Sequence, residues 1–261
     1  MNQSISVVTV CYNAENEIEK TVRSVLSQKS DDFGYYIIDG SSTDRTVEIV
    51  KDISSSYSVK PVIISEPDKG IYNAMNKAID LVSGEWIIFM NAGDRFYDDN
   101  VLSTFSSSGA KADFAYGDAC YINQGGSFMV NAGEIEQIRE KMPFCHQAVF
   151  NKVEALRKLR FDESYRICAD YDCYQRAFRD GFAFEHIPVC VCMYEEGGAS
   201  AKAWGRFNKE IRDIQVRNGI TKLPRFKYLA RSIRGNIGRL VRKCIPESKL
   251  NKVREKKYGD T

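Results

Sequence analysis

The stretch "EWIIFMNAGD", residues 85–94, joins a short apolar run to a turn that carries a carboxylate. Residues 86–90 are all apolar, which is typical of a strand that is buried on both faces. Asn91 and Asp94 follow, separated by two small residues that allow a tight turn. Because open α/β sheets bind ligands beyond the carboxyl ends of their strands, we expect Asp94 to face a ligand. Helix capping or an Asx-turn is the structural alternative for Asp94.

The residues before this stretch alternate between strand and helix patterns. Apolar, β-branched runs at residues 5–10, 35–38 and 62–65 are separated by segments with apolar residues at helical spacing. Such alternation is typical of a mostly parallel sheet with helices on both faces. We therefore predict an α/β fold with a Rossmann-like sheet.

Each of the four predicted strands ends in polar or acidic residues. Right-handed crossovers bring the ends of parallel strands to one edge of a sheet, so this edge is the candidate active site. The residues concerned are Tyr12, Asn13, Asp39, Glu66, Asp68, Asn91 and Asp94.

Two common nucleotide-binding motifs are missing from the sequence. The turn after the first strand, residues 11–15, has no glycine and cannot form a G-x-G-x-x-G loop, and no G-x-x-x-x-G-K-[ST] occurs. Carboxylates that face a phosphorylated ligand need a cation between the two anions. Mg²⁺ characteristically uses one or two carboxylates together with substrate phosphates. We therefore expect Mn²⁺ or Mg²⁺ as the cofactor and Asp94 as its ligand.

Four ordered segments resemble the family 2 glycosyltransferases of the GT-A fold, and bacterial members that build surface polysaccharides most closely. They are "ISVVTVCYN", "YYIIDGSSTDRT", "SEPDKGIYNAMNKAI" and "GEWIIFMNAGD", and the resemblance extends from residue 1 to about residue 195. It implies that the crevice binds a nucleotide-diphosphate sugar, with a UDP-sugar as the expected donor. It also implies inverting transfer of the sugar to a hydroxyl acceptor.

The resemblance assigns roles to residues in the first half of the chain. Thr9 and Tyr12 match the wall that contacts the nucleotide base, and Asp39 matches an aspartate that hydrogen-bonds the base or ribose. Asp68 and Lys69 match a loop that reaches the nucleotide and donor, where Lys69 could also contact a phosphate. A packing role for Tyr12 and a turn role for Asp39 are the structural alternatives.

Asp94 matches the last, metal-binding aspartate of the family's D-x-D-type motif. The chain departs from that motif, because its partner is Asn91, three positions before Asp94 and without charge. Asn91 could hydrogen-bond a ribose hydroxyl or coordinate through its carbonyl oxygen. With one carboxylate fewer, we expect weaker metal binding, with more of the coordination supplied by diphosphate oxygens and water.

Inverting transfer also needs a general base for the acceptor hydroxyl. The segment "CADYD", residues 168–172, starts an amphipathic pattern and resembles the family's base segment, with Asp170 at the base position and Ala169 in place of a preceding acid. Asp172 is the alternative base, and helix capping is the structural alternative. Because two residues span about 200° of a helix, Asp170 and Asp172 cannot both point into one site.

The two histidines and the eight cysteines are predicted to have different roles. His146, in "PFCHQAVF", lies in a segment that resembles one preceding the base in the family. It could complete the metal shell or contact the diphosphate or the acceptor. His186 is predicted to be structural. The eight cysteines form no C-x-x-C pair and are predicted to act as small apolar residues.

The charge of the chain is divided unevenly. Residues 221–261 carry thirteen basic and three acidic residues, whereas the first 220 carry 24 basic and 32 acidic ones. We predict a nucleotide-sugar-binding half (residues 1–110), an acceptor-binding and catalytic-base half of the same domain (111–220) and a basic amphipathic C-terminal helical extension (221–261). The extension suits an anionic membrane surface. A helix packed on the catalytic domain is the alternative, and nucleic acid is not an expected partner.

These features predict a cytoplasmic enzyme that is peripherally associated with the inner face of the plasma membrane, since residues 1–4 show no basic start of an export signal. The expected acceptor is a saccharide, linked to a polyprenyl diphosphate, in O-antigen, capsule or exopolysaccharide synthesis. Two alternatives are a sugar-phosphate nucleotidyltransferase and a nucleotide-sugar-binding membrane-peripheral protein without catalysis. The first would need a glycine-rich phosphate loop after the first strand.

Overall fold

A computed structural model describes residues 4–30, 32–123, 126–195 and 203–219. The helices and strands follow in the order β1 (Ile5–Cys11), α1 (Ile18–Leu26), β2 (Phe33–Asp39), α2 (Thr46–Ser55), β3 (Val62–Ser65), α3 (Ile71–Leu81), β4 (Trp86–Phe89), β5 (Arg95–Phe96), α4 (Val101–Ser108), β6 (Phe114–Asn123), β7 (Gly126–Val130), β8 (Val149–Lys152), α5 (Val153–Leu159), α6 (Ala169–Arg179), β9 (Phe184–Glu195) and α7 (Trp204–Arg217). Two 3-10 helices, Ile135–Arg139 and His146–Ala148, lie between β7 and β8.

The strands form one sheet in the order β3-β2-β1-β4-β8-β6-β9-β5, with β7 paired to β6. The first four strands of this order are parallel to one another, as the sequence pattern predicts. Strand β8 runs antiparallel to both of its neighbours, β4 and β6, and therefore joins the parallel half to a mixed half. Strands β6 and β7 pair antiparallel at the edge of this mixed half.

Strand β1 is buried at all seven positions because both faces of the sheet are covered. Its side chains alternate between the two faces, as the two-residue period of a strand requires. Val8 and Val10 belong to the core on the side of α3, α5 and α6. Ile5 and Val7 belong to the core on the side of α1, α2 and α4. The prediction of helices on both faces is confirmed.

The strand register brings the polar strand ends to one edge. Cys11 at the end of β1 is opposite Asp39 at the end of β2, and Asp39 is opposite Ser65 at the end of β3. The chain leaves β4 at the same edge, where the Met90 N–H donates to the Val8 carbonyl over 2.8 Å. The site edge predicted from the sequence is therefore present.

Three further predictions concern the membrane, the cysteines and the C-terminal extension. None of the described helices is long and apolar enough to cross a membrane. The seven described cysteines are free, and five of them are buried, which agrees with their predicted role as small apolar residues. The predicted basic extension, residues 221–261, lies outside the described residues.

Candidate active site

An exposed aromatic ring and a carboxylate flank the backbone of Gly40. Tyr12, just after β1, is 62% exposed. A Cβ atom on Gly40 would lie 2.5 Å from the Asp68 Oδ2 and 3.3 Å from a ring carbon of Tyr12. Asp68 is held by the Gly70 N–H, which donates to its Oδ1 over 2.7 Å. The three residues line a shallow wall at the site edge, where an exposed ring can stack on a flat ligand.

Thr9 and Asp39, both predicted to contact the nucleotide, have no accessible surface. The Thr9 hydroxyl donates to the Met90 carbonyl over 2.7 Å and therefore joins β1 to the start of the β4 turn. The Asp39 carboxylate accepts hydrogen bonds from the Ser42 N–H at 3.0 Å and the Ser65 hydroxyl at 2.6 Å. In this structure both side chains support the site edge from beneath, and the turn role of Asp39 is the one that its contacts fit.

Lys69 stands at the open side of the same wall. Its side chain is exposed, and its carbonyl oxygen accepts a hydrogen bond from the Arg166 guanidinium. The same guanidinium lies 2.8 Å from the position of a Cβ atom on Gly70, so a larger residue at this glycine would displace it. Lys69 and Arg166 thus bring two cationic side chains to the loop after β3. The sequence pattern pointed to the lysine alone.

The turn after β4 is held from α1 by a single buried side chain. The Thr21 hydroxyl donates to the Asp94 carbonyl over 2.6 Å and accepts a hydrogen bond from the Gly93 N–H over 2.9 Å. Gly93 has a φ of 106°, in the region that favours glycine. The Asp94 N–H donates to the Asn91 carbonyl over 2.9 Å and closes the turn. The backbone of the predicted metal turn is therefore fixed without a ligand.

The side chains of this turn fit a cation. Burial raises the pKa of Asp94 to about 6, while the nearby His146, the Gln147 amide and the Asn91 backbone act in the opposite direction. The Asn91 Oδ1 is buried and has no hydrogen-bond partner among the described residues. A partly buried carboxylate and an unpartnered amide oxygen on one turn are hard oxygen ligands that Mg²⁺ or Mn²⁺ accepts.

The described residues contain no group of three His, Cys, Asp or Glu side chains that could hold a metal ion. A cation at Asp94 would therefore take most of its ligands from the phosphates of a bound nucleotide and from water, which is common for Mg²⁺.

Asp170 lies in the first turn of α6, accepts two hydrogen bonds and lies close to His146. The Tyr72 hydroxyl and the Tyr171 N–H donate to its Oδ1 over 3.1 Å and 2.8 Å. The Nδ1 of His146 lies 3.3 Å from its Oδ2. The Asp170 side chain is 13% exposed and that of His146 is 31% exposed, so both remain accessible from the crevice.

The 3-10 helix His146–Ala148 connects the two carboxylates. His146 contacts Asp170, and the neighbouring Gln147 donates from its Nε2 to the Asp94 Oδ1 over 3.0 Å. One short helix therefore brings the predicted base and the predicted metal ligand, which lie 76 positions apart in the sequence, to one site.

Asp172, the alternative base, points away from this site. It has no accessible surface, and its Oδ2 accepts a hydrogen bond from the Arg176 Nε over 2.7 Å. Its Oδ1 lies 3.5 Å from the Asn218 Nδ2, just beyond the end of α7. Of the two acids, only Asp170 reaches the crevice, because the packing of α6 against α7 turns the other into the core.

Asp172→Asn is expected to lower the free energy of unfolding by about 3 kcal/mol, because removing one partner of a buried ion pair leaves Arg176 uncompensated. Urea unfolding measures the change. The matched control is Asp180→Asn, which breaks the exposed Arg179–Asp180 pair at the end of the same helix and should change stability by less than about 1 kcal/mol. Equal unfolding curves for Asp172→Asn and the wild type would contradict a structural role for Asp172.

Glu210 on α7 holds the segment that leads into α6. This carboxylate is 8% exposed and accepts hydrogen bonds from the backbone N–H groups of Arg166, Ile167 and Cys168 over 3.0, 2.9 and 3.1 Å. It fixes the chain just before Asp170. No sequence signal marked Glu210, because its helix shows only ordinary amphipathic spacing.

His186 lies outside this group of contacts. Its Nε2 is 3.1 Å from the Asp118 Oδ1, and Asp118 also accepts a hydrogen bond from the Ala132 N–H over 2.8 Å. This hydrogen-bond network fits the structural role predicted for His186.

Comparison with known proteins identifies related chains. A family model described as glycosyl transferase family 2 matches residues 6–178. A PGL/p-HBAD biosynthesis glycosyltransferase of Mycobacterium bovis is 27% identical over 202 residues, which cover 74% of this chain and 77% of the relative. The amylovoran biosynthesis glycosyltransferase AmsB of Erwinia amylovora is 29% identical over 208 residues, which cover 73% and 69% of the two chains.

Two solved structures share the fold. The alignment with S. aureus TarS 1-349 in complex with UDP-GlcNAc covers 86% of this chain and 69% of the TarS chain, with a TM-score of 0.66 and 16% identity. The mannosyltransferase PcManGT from Pyrobaculum calidifontis, in complex with GDP-Man and Mn²⁺, covers 85% and 66%, with a TM-score of 0.63 and 18% identity. The predicted GT-A architecture is thereby confirmed. Because the family model matches more than half of the chain and its range includes both Asp94 and Asp170, the chain belongs to glycosyl transferase family 2.

Proposed function

We propose that this glycosyltransferase moves a sugar from a nucleotide-diphosphate sugar, with a UDP-sugar as the expected donor, to a hydroxyl group of a saccharide acceptor and inverts the anomeric configuration. The observation that carries this proposal is the 3-10 helix His146–Ala148, which contacts both Asp94 and Asp170. A general base for the acceptor hydroxyl and a cation for the departing diphosphate would together support a single displacement.

In this mechanism, the Asp170 carboxylate takes the proton of the acceptor hydroxyl while the hydroxyl oxygen attacks the anomeric carbon. The bond from that carbon to the diphosphate oxygen breaks as the new bond forms, so the configuration inverts. The Tyr72 hydroxyl and the His146 ring hold the carboxylate in place. Asp94 and Asn91 would hold the cation, which when bound offsets the charge of the departing diphosphate. Lys69, which is exposed in the loop after β3, would add positive charge to the site.

The wall formed by Tyr12, Gly40 and Asp68 is proposed to receive the nucleoside. The exposed Tyr12 ring offers a stacking surface to the base, and Asp68 offers an acceptor to a ribose hydroxyl. Asp39 would contact the nucleotide only if the Ser42 and Ser65 hydrogen bonds opened, since its carboxylate is buried beneath the wall.

Gly40→Ala is expected to weaken binding of UDP by about tenfold. The added methyl group would lie 2.5 Å from the Asp68 Oδ2, so the carboxylate and the Tyr12 ring must move apart. Isothermal titration calorimetry with UDP measures the effect. The matched control is Gly205→Ala on α7, where a Cβ atom meets no neighbour within 4 Å, and there the dissociation constant should stay the same. Unchanged UDP binding in Gly40→Ala would show that this wall does not bind the nucleotide.

For the acceptor, we propose a polyprenyl-diphosphate-linked saccharide in O-antigen, capsule or exopolysaccharide synthesis at the cytoplasmic face of the membrane. The relative named for amylovoran biosynthesis supports a polysaccharide pathway. The thirteen basic residues of the segment 221–261 support attraction to an anionic lipid surface.

One experiment tests the proposed reaction. A panel of UDP- and GDP-sugars is incubated with saccharide acceptors, with and without Mn²⁺, and release of nucleoside diphosphate is measured together with the anomeric configuration of the product by NMR. Mn²⁺-stimulated release of the nucleoside diphosphate and an inverted product are expected. A product with retained configuration would refute the single displacement. Tight donor binding without turnover across the panel would instead favour the non-catalytic binding protein.

A further inference from the structure

Gln147 is oriented by hydrogen bonds at both ends of its side-chain amide. Its Nε2 donates to the Asp94 Oδ1 over 3.0 Å, and its Oε1 accepts a hydrogen bond from the Cys145 thiol over 2.6 Å. A flipped amide would set two acceptors against each other at Asp94, whereas in the observed orientation the Cys145 thiol donates to the amide oxygen. The two contacts together therefore select the orientation in which the amide N–H faces the carboxylate.

The Asp94 side chain depends on this contact more than its backbone does. Thr21 holds the backbone of the turn with hydrogen bonds to Gly93 and Asp94. The carboxyl group can still rotate about its last bond, because torsions of this kind have broad minima. Among the described residues, the only side-chain hydrogen bond to the Asp94 carboxylate comes from Gln147.

A site with one acid is sensitive to the orientation of that acid. Asn91 brings no charge, so Asp94 supplies the full negative charge that this turn can offer a cation. Residues that hydrogen-bond a metal ligand orient it, and their loss typically lowers metal affinity by about 10–100-fold.

We propose that Gln147 is the positioning residue for Asp94: its amide holds Oδ1, so that the carboxylate presents a constant oxygen to a divalent cation. This inference rests on the proposed role of Asp94 as the cation ligand. It adds that a residue from the second half of the chain orients this ligand. Gln147 shares its 3-10 helix with His146, the neighbour of Asp170.

The burial and the hydrogen bonds of Gln147 distinguish a positioning role from a packing role. Its side chain is only partly buried, whereas the next residue, Ala148, is completely buried and belongs to the core. Its Nε2 contacts Asp94 at the site edge, and its Oε1 contacts Cys145, a partly buried residue that packs against the core. Loss of the amide should therefore change metal affinity much more than stability.

The test measures Mn²⁺ binding directly, from the electron paramagnetic resonance signal of free Mn²⁺ at pH 7.5, with and without UDP. In Gln147→Met the dissociation constant for Mn²⁺ should rise about tenfold or more. The metal-free dissociation constant for UDP and the melting temperature should stay close to those of the wild type. In Gln147→Asn, which keeps the amide but shortens its reach by one methylene, the dissociation constant for Mn²⁺ should also rise, by about tenfold, because the amide no longer reaches Asp94.

The matched control is Gln137→Met, the same substitution on the other 3-10 helix, where the side chain lies beside Gly133. Its Mn²⁺ affinity should equal that of the wild type. An Mn²⁺ dissociation constant within twofold of the wild type in Gln147→Met overturns the inference, as does a parallel change in metal-free UDP binding. If Gln147→Met does not fold, unchanged Mn²⁺ affinity in Gln147→Asn overturns it.

Asp94→Ala, measured alongside, separates the two possible failures. If Asp94→Ala loses Mn²⁺ binding while Gln147→Met keeps it, the positioning role of Gln147 is wrong and the proposed metal site stands. If Asp94→Ala keeps the Mn²⁺ affinity of the wild type, the proposed metal site itself is wrong.

Discussion

Asp170→Asn is expected to lower the rate of sugar transfer by about 10²- to 10⁴-fold, the range that general-base catalysis supplies. Asparagine has the shape of aspartate and can still accept hydrogen bonds from Tyr72 and the Tyr171 N–H. It cannot take a proton from the acceptor hydroxyl. Binding of the nucleotide-sugar donor should remain within about twofold of the wild type, because the wall that receives the nucleoside is unchanged. Initial rates and donor titrations measure the two effects.

Asp180→Asn is the control for this substitution. It makes the same chemical change just after the other end of α6, in an exposed ion pair, and should leave the rate unchanged. A near-normal rate in Asp170→Asn would assign the base elsewhere, and His146 would then be the next residue to replace, because it is the accessible neighbour of Asp170.

Asp94→Ala is expected to abolish the stimulation of donor binding by Mn²⁺, with a loss of about 100-fold or more in affinity for the metal. Removing a direct ligand should cost at least as much as removing a residue that only orients one. No second acid on the turn can compensate, because Asn91 is uncharged. Titrating UDP with and without Mn²⁺ measures the effect, since metal-free binding of UDP should persist.

The control for Asp94→Ala is Asp52→Ala, which removes a carboxylate from the exposed face of α2. The Mn²⁺ response of this variant should equal that of the wild type. If Asp94→Ala responds to Mn²⁺ as the wild type does, Asp94 does not bind the cation and the turn after β4 has a structural role.

The parallel half of the fold could be predicted from the sequence because its signals are local. Strands β1 to β4 are short apolar runs that end in polar residues, and the helices between them have regular apolar spacing. The second half was predicted less completely. Strand β8 has only two apolar residues, α5 has seven residues, too few for a clear helical period, and the 3-10 helix His146–Ala148 has no periodic signal at all.

Individual site residues differ in how far the sequence could place them. The motif that contains Thr9 and Asp39 was recognised, but their burial depends on neighbouring strands, through the contacts of Thr9 with Met90 and of Asp39 with Ser65. Helical spacing predicted that Asp170 and Asp172 would point in different directions. Which of them faces the crevice was decided by the packing of α6 against α7.

The sequence by itself determined the alternation of strands and helices, the polar site edge and the family, because these depend on neighbouring residues and on ordered motifs. The tertiary structure decided which carboxylates meet. Gln147 reaches Asp94 across 53 positions, and Tyr72 reaches Asp170 across 98. Contacts at such separations depend on the two halves of the sheet, which β8 joins, so no local period in the chain could reveal them.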